Sequence, residues 1–425
     1  MSLGASGSAL GHLLVGHGRP PDAEVGYSAW YHRAMDDAEG RALARSEPGL
    51  AFIAAAVALA VAMGVGRFVY TPLLVVMLKE GSLSRAFAGV LAAANLAGYL
   101  LGALMAMHSL ASRHRTTLVR VGSVVVVVMT AMMALPSSVW LPARFITGVA
   151  SGLVFVLTVS LVLDLAARVQ SKYGIATAFS GVGIGIAAAG VLALPFQSLG
   201  GARAAWLGLA GISAIALSAT LAFLPPSCSG SQRTNDKQQT SDGPLFGWLA
   251  LLYGVEGAAY IIPATFLVAM VAETAAIARL GAIMWILVGL VAAPSTLWWN
   301  AASKRWGNSA ALVVACTVQI ASMLAPFVLP GGPGALALAV GLGGTFIGIA
   351  SLAMALARSL RPKKATAAIG LLTALYGVGQ IAGPLVATRV VLDTGSYRFA
   401  LFIAAIALAL ATAPFAAIVA RSPER

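Results

Sequence analysis

The stretch Gly64-Val-Gly-Arg-Phe-Val-Tyr-Thr-Pro72 lies in the middle of a long apolar run, and Gly254-Val-Glu-Gly-Ala-Ala-Tyr-Ile-Ile-Pro263 lies in another such run 190 residues later. In both stretches a tyrosine follows the first glycine by six positions, and a proline follows the tyrosine by two or three. Each stretch also carries one charge beside a glycine, Arg67 in the first and Glu256 in the second. Charges inside an apolar span are costly and usually functional. The repeated pattern predicts a duplicated membrane protein with a polar site near mid-span.

The composition excludes an ordinary soluble domain. Of the 425 residues, 59% are hydrophobic and 10% are charged, and the mean hydropathy is +0.90. Soluble domains have about 25% charged residues. The net charge of +13 does not indicate nucleic-acid binding, because the basic residues lie in short breaks between apolar runs. The two cysteines, Cys228 and Cys316, provide no disulfide framework or metal-binding spacing. We therefore expect no metal and no other cofactor.

Twelve apolar runs are long enough to cross a membrane, since a spanning helix needs about 20 apolar residues. A shared Ala-Ser-basic sequence follows the second run of each half, at Ala111 and at Ala302. The runs predict an all-α polytopic fold of twelve transmembrane helices in two six-helix bundles, residues 50–224 and 245–420, related by a pseudo-twofold axis. The predicted spans are 50–78, 86–107, 117–135, 139–165, 173–195, 204–224, 245–271, 281–302, 309–329, 334–357, 365–390 and 399–420.

Polar segments flank and separate the two halves. Residues 1–49 have no apolar signal-peptide core and predict a disordered cytoplasmic tail. Residues 225–244 predict a flexible cytoplasmic linker, and residues 421–425 a short cytoplasmic tail. Of the 27 Lys and Arg residues, nineteen lie on the side of the N-terminus and six on the other side. This bias predicts a multi-pass protein of a bacterial-type inner (plasma) membrane with both termini in the cytoplasm.

Parts of the sequence resemble the YbfB/YjiJ-type family of the major facilitator superfamily. The resemblance implies a secondary transporter in which two halves rock about a central cavity, a mechanism called alternating access. It also implies that the first, fourth, seventh and tenth helices line that cavity. The likeness extends over about residues 50–420, and its motifs are the stretches 64–74, 260–267 and 376–384.

Several further residues are expected to matter for conformational change. Arg144 and Gly148 resemble the fourth-helix Arg-Gly motif of the superfamily, and Gly383-Pro384 resembles its antiporter-type Gly-Pro motif, although it lies in the eleventh helix. Pro72, Pro263 and Pro384 remove backbone donors and favour kinks. Kinks suit helices that rock, although a static kink is an equally simple interpretation.

Arg67 and Glu256 are the charges that the pattern buries most deeply. We expect Arg67 either to hold an anionic group of a solute or to form a fixed ion pair with Glu256. A carboxylate in a dry site can be neutral at one stage and charged at another, so Glu256 is also the proton-coupling candidate. A plain salt bridge or a position at the cavity mouth would equally explain it. For Asp164, near the cytoplasmic end of the fourth span, we expect a helix cap or a loop partner for Arg168 or Lys172, with a role in coupling as the alternative.

Uncharged polar residues complete the predicted solute-binding set. Tyrosine hydroxyls near the helix-weakening glycines and prolines are positioned to contact a solute, although they could instead satisfy freed backbone carbonyls. Mid-span amides could do the same or could bond between helices. The predicted set is Arg67, Tyr70, Thr71, Asn95, Glu256, Tyr260, Tyr376 and Gln380.

The sequence has no P-loop and no zinc-protease or serine-hydrolase motif, so we expect a transporter and not an enzyme. A proton gradient is the expected energy source. The expected cargo is a small organic solute, anionic or zwitterionic because of Arg67, and export is favoured on the Gly-Pro motif alone. Protons and the lipid bilayer are the other expected partners, with no nucleic acid, and the chain is expected to be a monomer. The alternative is a transporter-like sensor (a transceptor) that signals through the N-terminal tail.

Overall fold

The protein is helical throughout its regular elements, and the described residues contain no β-strand. Lipid offers the backbone no hydrogen bonds, so apolar spans form helices, which satisfy their own N–H and C=O groups. The predicted tail 1–49, linker 225–244 and C-terminal residues 421–425 lie almost wholly outside the described part of the chain. The computed structural model describes residues 48–108, 111, 114–171, 173–224, 244–273, 280–394 and 397–421.

The helices follow one another with short connections. In chain order they are α1 (Pro48–Leu59), a π-helix (Ala60–Phe68), α2 (Tyr70–Lys79), α3 (Arg85–Ala106), α4 (Arg115–Met132), α5 (Trp140–Arg168), α6 (Gly174–Phe223), α7 (Pro244–Glu273), α8 (Gly281–Trp306), α9 (Asn308–Val328), α10 (Gly332–Leu360), α11 (Ala365–Thr394) and α12 (Tyr397–Arg421).

Ten helical segments among the described residues are long and apolar enough to cross a membrane, and Val90–Ala106 within α3 is a shorter apolar helix. The count differs from the twelve predicted spans in part because α6 is one element of 50 residues that contains two of them. Gly200 and Gly201 interrupt α6 with non-helical backbone, at the break predicted between the fifth and sixth spans. Gly201 has φ 63°, a conformation that favours glycine.

The first predicted span is not one regular α-helix. A nine-residue π-helix separates α1 from α2. The Val69 amide donates to the Gly64 carbonyl, five residues back, at 2.8 Å, which is the π-helical spacing. Pro72 is the third residue of α2, and it has no N–H to donate to Phe68. Arg67 lies within this π-helix. Since π-helical turns are frequent at functional sites, this position supports a functional role for Arg67.

The helix packing repeats between the two halves. In the first half α1 packs on α6 and α3 packs on α5; in the second half α7 packs on α11 and α8 packs on α10, at corresponding places. The halves meet along two further pairs, α6 with α8 and α3 with α11. The contact between α6 and α8 is close, because a Cβ on Gly183 would overlap the backbone of Ala293. Close approach through small residues is usual between membrane helices.

Candidate solute-binding site between the halves

A small cavity lies where the two halves meet, at the level of the π-helix. The π-helix, α3, α5 and α6 line it from the first half, and α7, α10 and α11 line it from the second. Its volume is about 30 Å³, enough for one or two water molecules. Eight of its fourteen lining residues are aromatic: Phe68, Tyr99, Phe155, Phe179, Tyr253, Tyr260, Phe346 and Tyr376.

Arg67 is the only charged residue among those that line this cavity. Its side chain is 6% exposed, and its Nη2 donates to Oε1 of Gln380 on α11, so this bond crosses from one half to the other. The guanidinium lies 4.3 Å from the centre of the Tyr99 ring, a cation–π contact. The other terminal nitrogen, Nη1, is buried without a hydrogen-bond partner. A buried donor without a partner is costly and leaves a place for an acceptor from a solute.

A stack of four aromatic rings forms one wall of the cavity. Tyr376 of α11 lies between Tyr253 and Tyr260 of α7, with ring centres 4.7 Å and 5.7 Å away and planes tilted by 24° and 19°. Tyr260 stacks in turn on Phe346 of α10, at 5.1 Å and 10°. The near-parallel rings cover one another's faces, and the wall that they form is largely apolar.

Glu256 lies behind this wall and does not line the cavity. It is fully buried, and its Oε1 accepts a hydrogen bond from Nε2 of Gln319 at 3.1 Å. Oε1 of Gln319 accepts from the Thr345 hydroxyl at 3.0 Å, so the network joins α7, α9 and α10. Oε2 of Glu256 accepts no hydrogen bond of regular geometry, and the Tyr376 hydroxyl lies beside the carboxyl. Arg67 and Glu256 do not form the ion pair that was one sequence-based alternative, because Arg67 donates to Gln380 instead.

Tyr70, Thr71 and Asn95 lie outside the cavity lining. Nδ2 of Asn95 donates to the Arg144 carbonyl at 3.0 Å, which is the interhelical alternative for this residue. Arg144 is buried, donates from Nη1 to the Gly66 carbonyl at 3.0 Å, and lies over the Tyr70 ring at 4.6 Å. This cluster fastens α3, α5 and the π-helix to one another. It therefore holds the segment that carries Arg67.

The glycines expected to aid conformational change are places of close helix packing. A Cβ at Gly148 would overlap the Asn95 carbonyl, and a Cβ at Gly383 would lie 2.6 Å from the Ala258 carbonyl. Pro263 lies inside α7, which runs unbroken from Pro244 to Glu273, and Pro384 lies inside α11.

Asp164 is not paired as the sequence predicted. Its carboxylate forms ion pairs with Arg115 of α4, at 2.5 Å, and with Arg358 of α10. Lys172, one of the two predicted partners, lies outside the described residues. The prediction was wrong because it considered only neighbours in sequence, whereas the partners are 49 and 194 positions away. Beside this cluster, the Ser160 hydroxyl of α5 hydrogen-bonds the Thr366 hydroxyl of α11 at 2.8 Å.

Of the eight predicted solute-binding residues, the structure brings four to the cavity: Arg67, Tyr260, Tyr376 and Gln380. Sequence reasoning missed the aromatic residues Tyr99, Tyr253 and Phe346, because an aromatic residue inside an apolar span looks like any packing residue. Tyr253 lies directly before the second repeated stretch, and that adjacency was the one available signal.

The sequence and the fold both match known proteins. A profile of the family described as "Uncharacterised MFS-type transporter YbfB" matches residues 59–415. The human organic anion transporter MFSD10 (TETRAN) is 17% identical over 87% of this chain and 99% of that chain, with a TM-score of 0.65. The Escherichia coli fucose:proton symporter FucP is 14% identical over 88% of this chain and 99% of that chain, with a TM-score of 0.65. A FucP structure in the outward conformation is 14% identical over 86% of this chain and 98% of that chain, with a TM-score of 0.64. No curated protein sequence matches this chain.

Proposed function

This chain belongs to the YbfB-type family of major facilitator superfamily transporters, and from that premise we propose that it moves a small organic solute by proton-coupled alternating access. The observation that carries the proposal is Arg67. Its guanidinium is buried at the junction of the halves, bonded to Gln380 across that junction, with Nη1 still free to bind. Such a group can hold a solute only if the halves move apart, which is what alternating access requires.

The polar contacts at one end of the molecule support a closed state on that side. Asp164 pairs across the halves with Arg358, and Ser160 bonds across to Thr366. In the orientation predicted from the Lys and Arg distribution, this end faces the cytoplasm. We assign the structure to a state that is closed toward the cytoplasm. Opening on that side would have to break both contacts.

Glu256 remains the proposed site of proton coupling. It is buried among neutral partners, and no described Lys or Arg forms an ion pair with it. An uncompensated buried carboxylate is very costly, so this environment suits the neutral, proton-carrying form. Tyr376 contacts the Glu256 carboxyl on one side and lines the cavity on the other. Proton release from Glu256 would therefore change the position or the hydrogen bonding of Tyr376, and with it the lining of the cavity.

The direction, location and assembly of the carrier complete the proposal. We place it in the inner (plasma) membrane as a monomer with both termini in the cytoplasm. Export is preferred because Gly383-Pro384 is similar to the antiporter-type motif. An exporter of this kind would admit protons as the solute leaves.

The test is a ligand-stabilisation screen on the purified full-length chain, repeated with Arg67→Ala and Glu256→Gln. We expect a stabilising solute for the wild type whose effect is lost in Arg67→Ala. The same solute, in proteoliposomes with an imposed proton gradient, should move faster than without the gradient. If a solute stabilises the wild type and both variants equally, the cavity is not the binding site. Full transport by a chain lacking residues 1–45 would in addition argue against the sensor alternative.

A further inference from the structure

We propose that the Arg67 cavity takes a small planar monocarboxylate, such as an aromatic acid, and that Gln380 holds the place of its carboxylate while the site is empty. This inference rests on the proposed transport function and names its substrate class.

The case for a carboxylate starts from the charge balance of the cavity. Arg67 is more than nine-tenths buried, and the side chains that it contacts, the Gln380 amide and Tyr99, are neutral. Of its two terminal nitrogens, Nη2 donates to Gln380 and Nη1 has no hydrogen-bond partner. A carboxylate matches such an edge with two parallel hydrogen bonds and neutralises the charge.

The case against a zwitterion comes from the other lining residues. No acidic residue is among the fourteen that line the described cavity, and Glu256 lies behind the ring stack. The ammonium group of an amino acid would therefore lose its water without gaining a counter-charge. Such a loss is costly for a charged group. With a single cation at the cavity, a dicarboxylate would likewise leave one charge unmatched.

The case for a planar skeleton comes from the ring stack. Tyr253, Tyr376, Tyr260 and Phe346 form an aromatic wall, and the Tyr99 ring lies against the guanidinium. Apart from Arg67 and Gln380, the polar groups at the lining are tyrosine hydroxyls. A polyhydroxylated solute would leave most of its hydroxyls without partners. An aromatic ring can instead pack edge-to-face against the aromatic side chains.

The present volume explains the role assigned to Gln380. About 30 Å³ cannot hold an aromatic acid, so the solute enters when the halves separate. That separation breaks the bond between Arg67 and Gln380, because the two residues belong to different halves. The amide of Gln380 gives the guanidinium one hydrogen bond and no counter-charge, whereas a carboxylate gives it two parallel bonds and a negative charge. A solute carboxylate therefore displaces the amide, and the amide returns when the solute leaves.

Equilibrium binding to the purified full-length chain at neutral pH tests the ligand class. The probes are radiolabelled benzoate and, as unlabelled competitors, cyclohexanecarboxylate, benzamide and phenylalanine. We expect benzoate to bind, and cyclohexanecarboxylate to compete about two- to tenfold less well because it has no aromatic ring to pack edge-to-face on the aromatic lining. Benzamide and phenylalanine should not compete measurably. Equal competition by benzamide would overturn the carboxylate assignment, and equal competition by phenylalanine would overturn the exclusion of zwitterions.

Gln380→Glu tests the placeholder role with almost no change in shape. The new carboxylate would pair with Arg67 from within, so benzoate binding should be lost while the melting temperature rises. Gln380→Ala, the matched control, removes the competitor and should bind benzoate at least as tightly as the wild type. Arg67→Lys keeps the charge but loses the paired geometry, and should bind at least about tenfold more weakly. Unchanged benzoate binding by Gln380→Glu, or a lower melting temperature for it, would refute the placeholder role.

Failure of this inference can be told apart from failure of the proposed function. If none of the carboxylates binds but another solute stabilises the wild type and not Arg67→Ala, transport stands and the substrate class is wrong. If the halves never open toward the cytoplasm, as measured by the labelling of Ala350→Cys described below, the transport proposal itself fails.

Discussion

At the scale of single residues, Arg67 and Glu256 have different surroundings and different consequences. Arg67 lines the cavity, whereas Glu256 is fully buried and does not line it. A solute can therefore reach Arg67 once the halves separate, whereas Glu256 can exchange only a proton. One residue suits solute recognition and the other suits coupling.

Glu256→Gln should separate these two roles. The amide keeps the acceptor for Gln319 and removes the titrating group, so folding should be unaffected or slightly stabilised. We expect solute binding to persist, and the dependence of transport on a proton gradient to disappear. The measurement is solute flux in proteoliposomes with and without the gradient. Glu80→Gln is the control, because Glu80 accepts a hydrogen bond from the Ala202 amide in an exposed turn. If transport by Glu256→Gln still depends on the proton gradient, Glu256 is not the coupling residue.

Tyr376→Phe tests the connection between the two sites. The ring that stacks on Tyr253 and Tyr260 is kept, and only the hydroxyl beside Glu256 is lost. We expect solute affinity to change little and the gradient to accelerate transport less than in the wild type. A loss of affinity with the gradient effect intact would show that the hydroxyl serves the solute instead.

At the scale of helices, close packing holds α3 against α5 and thereby positions the π-helix. Gly148→Ala tests this contact, since its Cβ would overlap the Asn95 carbonyl and lie 2.9 Å from the Tyr99 amide nitrogen. We expect the protein to lose about 1–3 kcal/mol of stability, the usual cost of overpacking, seen as a lower melting temperature. Gly247→Ala is the control, because a Cβ there meets nothing within 4 Å. An equal effect of both substitutions would mean that helix propensity, not packing, sets the result.

The sequence was informative about elements and less so about their partners. The spans could be predicted from long apolar runs and from the Gly- and Pro-containing breaks between them. The cavity residues Arg67, Tyr260, Tyr376 and Gln380 could be predicted because they are polar residues in the middle of apolar spans. The rotation of each helix about its axis was not predictable, and it decides which face meets the cavity. Asn95 therefore lies against Arg144, and Glu256 faces Gln319. The π-helix was also missed, because nothing local distinguishes its apolar residues from an ordinary helical turn.

At the scale of the whole molecule, the ion pairs of Asp164 hold the predicted cytoplasmic end closed. Asp164→Asn should weaken both, and because they are partly buried the effect should exceed that of a surface pair. We expect a cysteine at the cavity, Ala350→Cys in a Cys228→Ser background, to react faster with a membrane-impermeant maleimide added to the cytoplasmic side.

The control for this experiment is Arg389→Gln. Its ion pair with Asp393 is within one helix, and both side chains are more than half exposed, so it should contribute little. Cys316 is fully buried and should stay silent in both variants. If Asp164→Asn and Arg389→Gln label alike, the ion pairs between α5, α4 and α10 do not set the state of the carrier.

The bond between Arg67 and Gln380 also has a consequence for the step in which the carrier returns to its starting conformation after it has released the solute. If the buried cation of a binding site has no partner when no solute is bound, the empty carrier cannot change conformation and can only exchange one solute for another. Here Gln380 accepts a hydrogen bond from Arg67 in the empty site. The buried surroundings of Glu256 also favour its protonated form. A carrier in that condition can return without solute and with a proton on Glu256, so we expect a proton gradient to drive net solute flux and not only one-for-one exchange.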